Sequence, residues 1–211
     1  MPKHALRAAI SLMMLFLLCL CCASTTAYAT ETPTEVLLVN HSSPLPRDYK
    51  PADLVNLYAQ KRHFRLASSE IYLEREVFEA ANEMFKQAEK DGVNKFTITS
   101  GYRTWEAQEK LYFKDTKGTA AAPGESEHQT GLAFDVTTRH GSGGFEKTKQ
   151  YKWLIKHCWD YGFILRYPKD KEEITGFACE PWHYRYVGVD IARVIHENNW
   201  TLEEYCEANE K

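Results

Sequence analysis

The sequence has no excess of positive charge. Across its 211 residues, 26 lysines and arginines face 29 aspartates and glutamates, which gives a formal net charge of −3. Proteins that bind nucleic acid usually present a basic face, so this balance argues against a nucleic-acid partner. Internal repeats and low-complexity tracts are also absent. Their absence excludes a repeat array and favours an ordinary globular fold.

Cysteine is scarce outside the N-terminal end. Three of the six cysteines fall within the first 22 residues, and the others are Cys158, Cys179 and Cys206. In an oxidising compartment, an odd number allows one disulfide and leaves one thiol. The sequence does not identify which pair would form that disulfide.

The first 29 residues have the three-part pattern of a secretory signal. Lys3 and Arg7 are basic, residues 8–22 are almost wholly apolar, and Ala27-Tyr28-Ala29 offers a cleavage site after Ala29. The apolar run is short for a transmembrane span, although an uncleaved membrane anchor remains the alternative. Cleavage would remove two positive charges and no negative ones, changing the net charge from −3 to −5. We therefore expect an extracytoplasmic protein, either secreted or associated with the cell wall or membrane.

The remaining chain, about 180 residues, suits a single domain with its own core. Residues 30–67 contain four prolines among scattered apolar positions. This composition predicts an irregular arm that packs on the domain, which would itself comprise residues 68–211.

Hydrophobic periodicity predicts a mixture of helices and strands in residues 68–211. Helices are expected at 69–91, 105–114 and 145–161, with Thr104 capping the second and Gly162 ending the third. Strands are expected at 96–100, at 132–136 and in the segments FILRY and WHYRYV. Two helices would follow, one capped by Asp190 and one opened by a capping box of Thr201 and Glu204. Because successive strands lack regular helical crossovers, the pattern predicts an α+β fold with a central antiparallel sheet flanked by helices.

The segment SEHQTGLAFDV, residues 126–136, places a histidine and an aspartate on either side of a turn. Gly131 permits that turn, so His128 is predicted to lie in a loop that enters a strand. Side chains alternate along a strand, so Phe134 would face the core while Asp135 faces away from it. A loop histidine and a strand carboxylate can then converge on one point.

A second histidine, His183, lies in the strand-like segment WHYRYV. Two imidazoles and one carboxylate are a sufficient ligand set for a catalytic zinc, whose fourth position stays open to solvent. The HExxH helix of many zinc proteases is missing, so such a site would have to assemble from separate elements. Taken singly, a histidine or aspartate in a turn is more often an ordinary surface group.

Glu180 precedes His183 by three residues, with Pro181 between them. Proline cannot donate to a sheet ladder, so the strand is expected to begin after it and Glu180 is expected to lie in a loop beside the ligands. A carboxylate in that position can take a proton from water and deliver it to a leaving amine. By itself, Glu180 is also compatible with a solvated surface charge.

Three motifs in order carry a family resemblance: SGYRTWEAQ, SEHQTGLAFDV and EPWHYRYVG. Together they resemble the LAS metallopeptidases, and more closely the VanY/DacB-type D-alanyl-D-alanine carboxypeptidases of bacterial cell walls. The likeness runs from about Val36 to Val194. It implies a LAS/hedgehog-like peptidase fold in which residues 68–211 form a zinc carboxypeptidase catalytic domain.

The resemblance also implies roles for individual residues. His128, Asp135 and His183 would bind one Zn²⁺ per chain, and Glu180 would act as the catalytic base and then the acid. Arg103, which leaves a predicted strand, would stabilise the oxyanion or hold the substrate. The remaining two matches, expected to bind substrate, are Gln108 and Ser126.

The implied function is the removal of terminal D-alanine from peptidoglycan stem peptides by a monomeric enzyme. An L,D-carboxypeptidase, a D,D-dipeptidase and a cell-wall endopeptidase of the same fold remain alternatives, because sequence does not reveal the depth of the pocket. A non-catalytic zinc-containing module that binds the wall is an alternative of a different class. Glu180 separates enzyme from module, because a protein without turnover has little reason to keep the base.

Overall fold

The structure, a computed structural model, describes residues 36–138 and 143–209. All of these residues belong to one compact unit, Glu35–Lys211. The predicted signal segment and its cleavage site lie outside the described residues. Within the described part of the chain, no helix is both long enough and apolar enough to cross a membrane.

The described part of the chain contains seven short strands and six α-helices. In order they are β1 (Leu54–Asn56), β2 (Arg65–Leu66), β3 (Tyr72–Glu74), α1 (Arg75–Lys90), β4 (Phe96–Ser100), α2 (Trp105–Lys114), β5 (Ala133–Thr138), α3 (Lys149–His157), β6 (Phe163–Leu165), α4 (Glu172–Thr175), β7 (His183–Tyr186), α5 (Val189–Asn198) and α6 (Leu202–Asn209). Single 3₁₀ turns occur at Leu57–Ala59, Glu127–Thr130, Phe145–Lys147 and Cys158–Tyr161.

Five of the strands form the central sheet, in the order β2-β4-β5-β7-β6. β2 pairs with β4 in parallel, and the other three pairings are antiparallel. β1 and β3 pair separately as a two-stranded antiparallel ribbon. The prediction of an α+β fold with a mostly antiparallel central sheet is confirmed.

The main core lies between α1 and one face of the sheet. α1 has an apolar stripe at helical spacing, and its buried members are Val77, Phe78, Ala81, Met84, Phe85 and Ala88. These side chains pack in the same cluster as Phe96, Phe134 and Tyr184 from three neighbouring strands. Full burial of each such large apolar side chain contributes roughly 1.5–3 kcal/mol, so this face is fixed by the hydrophobic effect. The opposite face of β5 and β7 is left for polar groups.

A second, smaller cluster packs α5 and α6 against the end of the sheet. Ile164 on β6 and Ile195 on α5 are among its buried members, while the neighbouring Phe163 belongs to the main core. This split follows from the alternation of side chains along a strand. Val36 and Leu38 pack against the same cluster, so the N-terminal segment lies beside the C-terminal helices.

Several predicted boundaries are confirmed by their local hydrogen bonds. α2 has the predicted bounds, and the Thr104 hydroxyl accepts from the Ala107 N–H at 3.2 Å as an N-cap. Gly162 follows the turn after α3 with a φ of +82°, which suits glycine. The capping box is also present: the Glu204 N–H donates to the Thr201 hydroxyl, and the Thr201 N–H donates to the Glu204 carboxylate.

Four predicted elements differ in the structure. The first helix begins at Arg75 rather than Ser69, because residues 72–74 pair with β1 instead. The predicted helix 145–161 is divided, since Thr148 caps a new helix by accepting from the Tyr151 N–H. α5 begins after Gly188, so Asp190 lies in its first turn and does not cap it. In FILRY only the first three residues form a strand.

The segment 30–67 was expected to be irregular, and its described part is more ordered than that. It contributes β1 to the two-stranded ribbon and β2 to the edge of the central sheet. Both strands are too short to show a period, so only their partners reveal them.

Cys158 and Cys179 are free thiols, which excludes a disulfide between these two.

Candidate metal centre

The centre is built on the pairing of β5 with β7. In this antiparallel pair Asp135 lies directly opposite His183, and their neighbours Phe134 and Tyr184 are also partners. Directly opposite residues project from the same face with their side chains in contact range. His183 Nδ1 accordingly lies 3.0 Å from Asp135 Oδ1. The sequence predicted each strand, and the register brings the two ligands together.

A register shift in the neighbouring strand coincides with this position. The pairing of β4 with β5 is regular up to Ile98, then shifts so that Ser100 opposes Asp135. A bulge of this kind bends the strand and re-aims nearby side chains, and it is frequent next to active sites. It directs the chain after β4, with Gly101 and Arg103, towards the face of the sheet that carries Asp135 and His183.

His128 is held by the turn before β5. Gly131 ends the 3₁₀ turn with a φ of +72°, and a Cβ there would lie 3.0 Å from the Leu54 side chain. The imidazole Nδ1–H donates to the Gly101 carbonyl at 2.8 Å. Its Nε2 is therefore free of a proton and lies 3.4 Å from Asp135 Oδ1. The turn delivers the second imidazole to the carboxylate, as predicted.

The three side chains fit a zinc ion. One ligand atom each from His128, Asp135 and His183 lies within 4.8 Å of the others. Ligand atoms about 2.0–2.1 Å from a tetrahedral zinc lie roughly 3.3–3.4 Å apart, close to the 3.0 and 3.4 Å separations from the carboxylate. Each imidazole also has an acceptor for its other nitrogen, as metal-bound histidines usually do. The two nitrogens that face Asp135 are therefore the atoms available to a metal ion.

The electrostatics of the three ligands favour a cation at this point. Burial opposes ionisation of Asp135, but His128 and His183 outweigh burial and hold the pKa of the carboxyl well below its usual range. Burial also lowers the pKa of His128. For His183, burial is outweighed by the hydrogen bonds to Asp135 and Glu127, which raise its pKa to about 9. A metal ion would therefore displace a proton from His183 on binding.

Glu180 lies beside the ligands, in the loop that precedes β7. The loop is anchored by the Glu180 N–H, which donates to the Tyr167 carbonyl at 3.0 Å. The carboxylate Oε2 is 3.8 Å from His183 Nδ1, and the side chain is 29% exposed. Burial raises the pKa of Glu180, which makes it a stronger base than a solvated carboxylate. Glu180 is thus close to the candidate ligand atoms, but it lies farther from His183 Nδ1 than Asp135 does.

Arg103 enters the cavity from the chain that follows β4. One guanidinium nitrogen donates to Gln108 Oε1 at 2.6 Å and another to the Ser100 hydroxyl at 3.2 Å. Burial lowers the pKa of Arg103, while the charges of Asp135 and Glu180 oppose that effect. The side chain is positioned by its neighbours rather than free in solvent.

Two more residues, Gln108 and Ser126, were predicted to bind substrate together with Arg103, and both are buried. Gln108 lies on the inner side of α2, and its amide donates to the Ala121 carbonyl at 2.6 Å. Ser126 precedes the turn that holds His128. Both line a cavity of about 350 Å³ together with the ligand set, Glu180 and Arg103. The structure brings all seven predicted site residues to one cavity, and their roles there stay predictions.

Charged residues beneath the centre were not among those predicted from the sequence. Glu127 is fully buried, and its Oε1 accepts from Arg166 Nε at 2.7 Å and from Arg185 Nη1 at 2.6 Å. Its Oε2 lies 3.4 Å from His183 Nε2. Burial opposes ionisation of Glu127, but the two arginines outweigh it and hold the pKa well below its usual range.

A signal for these residues was present in the sequence. Arg185 lies two positions after His183 on the same strand, so the two side chains share a face. Arg166 follows the apolar residues of β6, and its N–H donates to the His183 carbonyl. An arginine inside an apolar strand segment is rarely buried without a carboxylate, so each arginine predicts a buried acidic partner.

Comparison with known proteins agrees with this geometry. The family model for VanY, D-alanyl-D-alanine carboxypeptidase, matches residues 70–189. The chain belongs to this family. A D-alanyl-D-alanine carboxypeptidase of Enterococcus faecium is 39% identical over 175 residues, which cover 82% of this chain and 57% of the relative. The chain therefore spans just over half of that relative's length.

Two solved structures of the family share the fold. The LdcB LD-carboxypeptidase, whose structure reveals the basis of peptidoglycan recognition, has a TM-score of 0.72 at 40% identity, covering 81% of this chain and 84% of that chain. A mutant of the vancomycin-resistance D,D-pentapeptidase VanY, solved in complex with Zn(II), has a TM-score of 0.66 at 35% identity, covering 81% and 97%. The predicted LAS-type fold and an enzyme of the metallocarboxypeptidase class are confirmed by this membership.

The ligand geometry predicts that the purified protein binds about one zinc per chain. Replacement of His128 or His183 by alanine should remove most of that metal, because two ligands hold zinc far less tightly than three. Metal content after dialysis, measured by atomic emission, checks this. The exposed His63, which pairs with Glu89 at 2.9 Å, provides the control His63→Ala, which should keep its zinc. Full zinc retention in both ligand variants would contradict the assignment.

Proposed function

We propose that this chain is an extracytoplasmic, zinc-dependent D-alanyl-D-alanine carboxypeptidase that removes terminal D-alanine from peptidoglycan stem peptides. The observation that carries the proposal is the convergence of a three-residue metal-binding set, a carboxylate of raised pKa and a held arginine on one cavity. This arrangement supplies the groups that hydrolysis of a peptide bond requires. Family membership supports the choice of substrate.

The metal-binding atoms are His128 Nε2, Asp135 Oδ1 and His183 Nδ1. Zn²⁺ bound there would supply a Lewis acid that polarises the peptide carbonyl and acidifies water. Glu180 takes a proton from the attacking water and then delivers it to the leaving amine of D-alanine. Its loop position and raised pKa suit both steps, because the carboxylate is close to the metal-binding atoms and readily protonated.

Arg103 binds the negative charge of the reacting peptide. The guanidinium has five N–H donors, and the contacts with Gln108 and Ser100 leave others for a carbonyl oxygen or a terminal carboxylate. Gln108 holds the arginine in place through Oε1, while Ser126 offers a hydroxyl to the same cavity. These three residues bind and orient the stem peptide.

L,D-carboxypeptidase activity is the second candidate, and the likeness to the LdcB LD-carboxypeptidase favours it. Both reactions release a terminal D-alanine, and both use the same metal-binding set and base. They differ in the configuration of the residue before the cleaved bond, which the walls of the cavity select. Defined substrates therefore separate the two activities.

The proposal places the enzyme outside the cytoplasm, where peptidoglycan stem peptides are exposed. It is supported by the basic, apolar and small-residue pattern of residues 1–29. Retention of that segment would leave the enzyme anchored to the membrane.

Substrate choice is predicted to follow stem length. Incubated with defined tri-, tetra- and pentapeptide stems, the zinc-loaded mature protein should release free D-alanine from the pentapeptide. Chiral chromatography of the released products measures this. Release from the tetrapeptide alone would replace the proposal with the L,D-carboxypeptidase, and release of D-alanyl-D-alanine would indicate a dipeptidase. Binding of stems without any release would indicate a wall-binding module.

Glu180→Gln should abolish most of the activity while it preserves the fold and the zinc. Glutamine has nearly the same shape but cannot accept the proton, and general acid–base catalysis contributes typically ~10²–10⁴-fold. We expect the rate of D-alanine release to fall by at least that order, with zinc content unchanged. The control is Glu173→Gln, the same substitution on exposed residue Glu173 of α4, which should retain the wild-type rate. A wild-type rate of D-alanine release by Glu180→Gln would contradict the proposed role of Glu180 as the base.

The leader interpretation predicts the N-terminus of the mature protein. The extracellular form should begin at or near Thr30, because signal peptidase cleaves after the A-x-A site. N-terminal sequencing of protein recovered outside the cells checks this. A cell-associated protein that still begins with Met1 would support the membrane anchor instead.

A further inference from the structure

A buried ion network lies beneath His183, and nothing in the proposed reaction uses it directly. Glu127, Arg166 and Arg185 all have fully buried side chains. The two arginines hold the same oxygen of Glu127, at 2.7 and 2.6 Å. The other oxygen is left to face His183 Nε2 at 3.4 Å. Glu127 is thus oriented by one oxygen and presents the second to a metal-binding histidine.

The network continues to both ends of the described chain. Arg166 donates to both carboxylate oxygens of Glu203 on α6, at 2.8 and 2.5 Å. The amide of Asn40 donates to the same carboxylate at 3.1 Å. On the other side, Arg185 donates to the Leu37 carbonyl at 2.5 Å. Residues 37–40 and α6 are therefore tied to the ion cluster that supports His183.

Stability alone is a poor explanation for this cluster. Taking charges out of water costs several kcal/mol per ion, and well-packed apolar residues often match or exceed a buried ion pair in stability. The cluster is balanced, with two arginines and two carboxylates, so none of its charges is left uncompensated. Its position is more informative, because the free oxygen of Glu127 points at the one nitrogen of His183 that does not face Asp135.

We propose that Glu127 is a positioning residue that fixes the ring of His183 for metal binding, and that the Arg166–Glu203 contact extends this support to α6. The inference rests on the proposed zinc site. A carboxylate acceptor keeps the proton of His183 on Nε2 and so keeps the Nδ1 lone pair directed at the metal. It also makes the imidazole a stronger ligand. Glu203 acts one step further away, by holding Arg166 against Glu127.

The test compares Glu127→Gln, Glu203→Gln and a matched control, Glu204→Gln. Glu204 lies next to Glu203 on α6 and pairs with Lys171 at 2.9 Å, so the control removes the same charge from the same helix. The Kd for zinc is measured by competition with a chromophoric chelator in buffer without urea. Circular dichroism first establishes that each metal-free variant is folded in that buffer. The absorption spectrum of the Co²⁺-substituted proteins reports the ligand geometry.

Loss of an outer hydrogen-bond partner typically weakens metal binding by roughly 10–100-fold. We expect a loss of that size for Glu127→Gln, with an altered Co²⁺ spectrum, and a smaller loss of at least about threefold for Glu203→Gln. Glu204→Gln should retain the wild-type Kd and spectrum. A purely structural role would lower the unfolding midpoint in urea but leave the Kd of the folded variants unchanged.

The outcomes separate this inference from the proposed function. Wild-type protein that binds no zinc would overturn the zinc site itself. Zinc binding in wild type with an unchanged Kd in both Glu127→Gln and Glu203→Gln would overturn the inference alone. If Glu127→Gln does not fold, the comparison of Glu203→Gln with Glu204→Gln decides: equal Kd values in these two contradict the inference, and weaker binding only in Glu203→Gln supports it.

Discussion

The register of β5 against β7 is the constraint on which the centre depends. Because side chains alternate along a strand, a slip by one residue would move Asp135 to the core face. Phe134 and Tyr184 prevent that slip, since they are opposite each other, fully buried and stacked with ring centroids 6.1 Å apart. The same pairing that buries these two rings places Asp135 beside His183 on the other face. Hydrophobic packing on one face of the sheet thus fixes the relative positions of Asp135 and His183 on the other face.

The polar face is stabilised by charge compensation instead of by packing. Buried charges are costly unless they are paired, and the described residues below the centre satisfy this rule in two layers. In the upper layer Asp135 contacts both imidazoles. In the lower layer Glu127 contacts Arg166 and Arg185, and Tyr167 packs on the ring of His183 with centroids 5.0 Å apart. These contacts hold the three candidate ligands in positions that suit a metal ion.

Sequence predicted the parts of this structure that are encoded locally. α2 was predicted with its observed bounds because Thr104 is a strong N-cap, and β5 was recognised because Phe134 and Val136 alternate with Ala133 and Asp135. β1, β2 and β3 were missed because strands of two or three residues have no measurable period and exist only through their partners. Residue types and motifs identified the three candidate ligands, and the structure brings these side chains together. The two arginines indicate a buried acidic partner, but not that this partner is Glu127, because they lie 39 and 58 residues further along the chain.

The candidate reacting groups lie mainly on the sheet and the turns next to it, whereas part of the cavity wall is formed by a loop. The candidate metal ligands lie on paired strands or on a turn tied to them, whereas the loop after α2 contributes other residues to the lining of the same cavity. That loop is organised by Asp115, whose carboxylate accepts from the N–H groups of Lys117 and Ala120 at 2.8 and 2.6 Å. Gln108 joins the two parts, because it donates to Ala121 in the loop and accepts from Arg103 at the centre. Loops tolerate sequence change better than paired strands do. The shape of the cavity can therefore vary among relatives that share the fold, which is consistent with an LD-carboxypeptidase and a D,D-pentapeptidase on this fold.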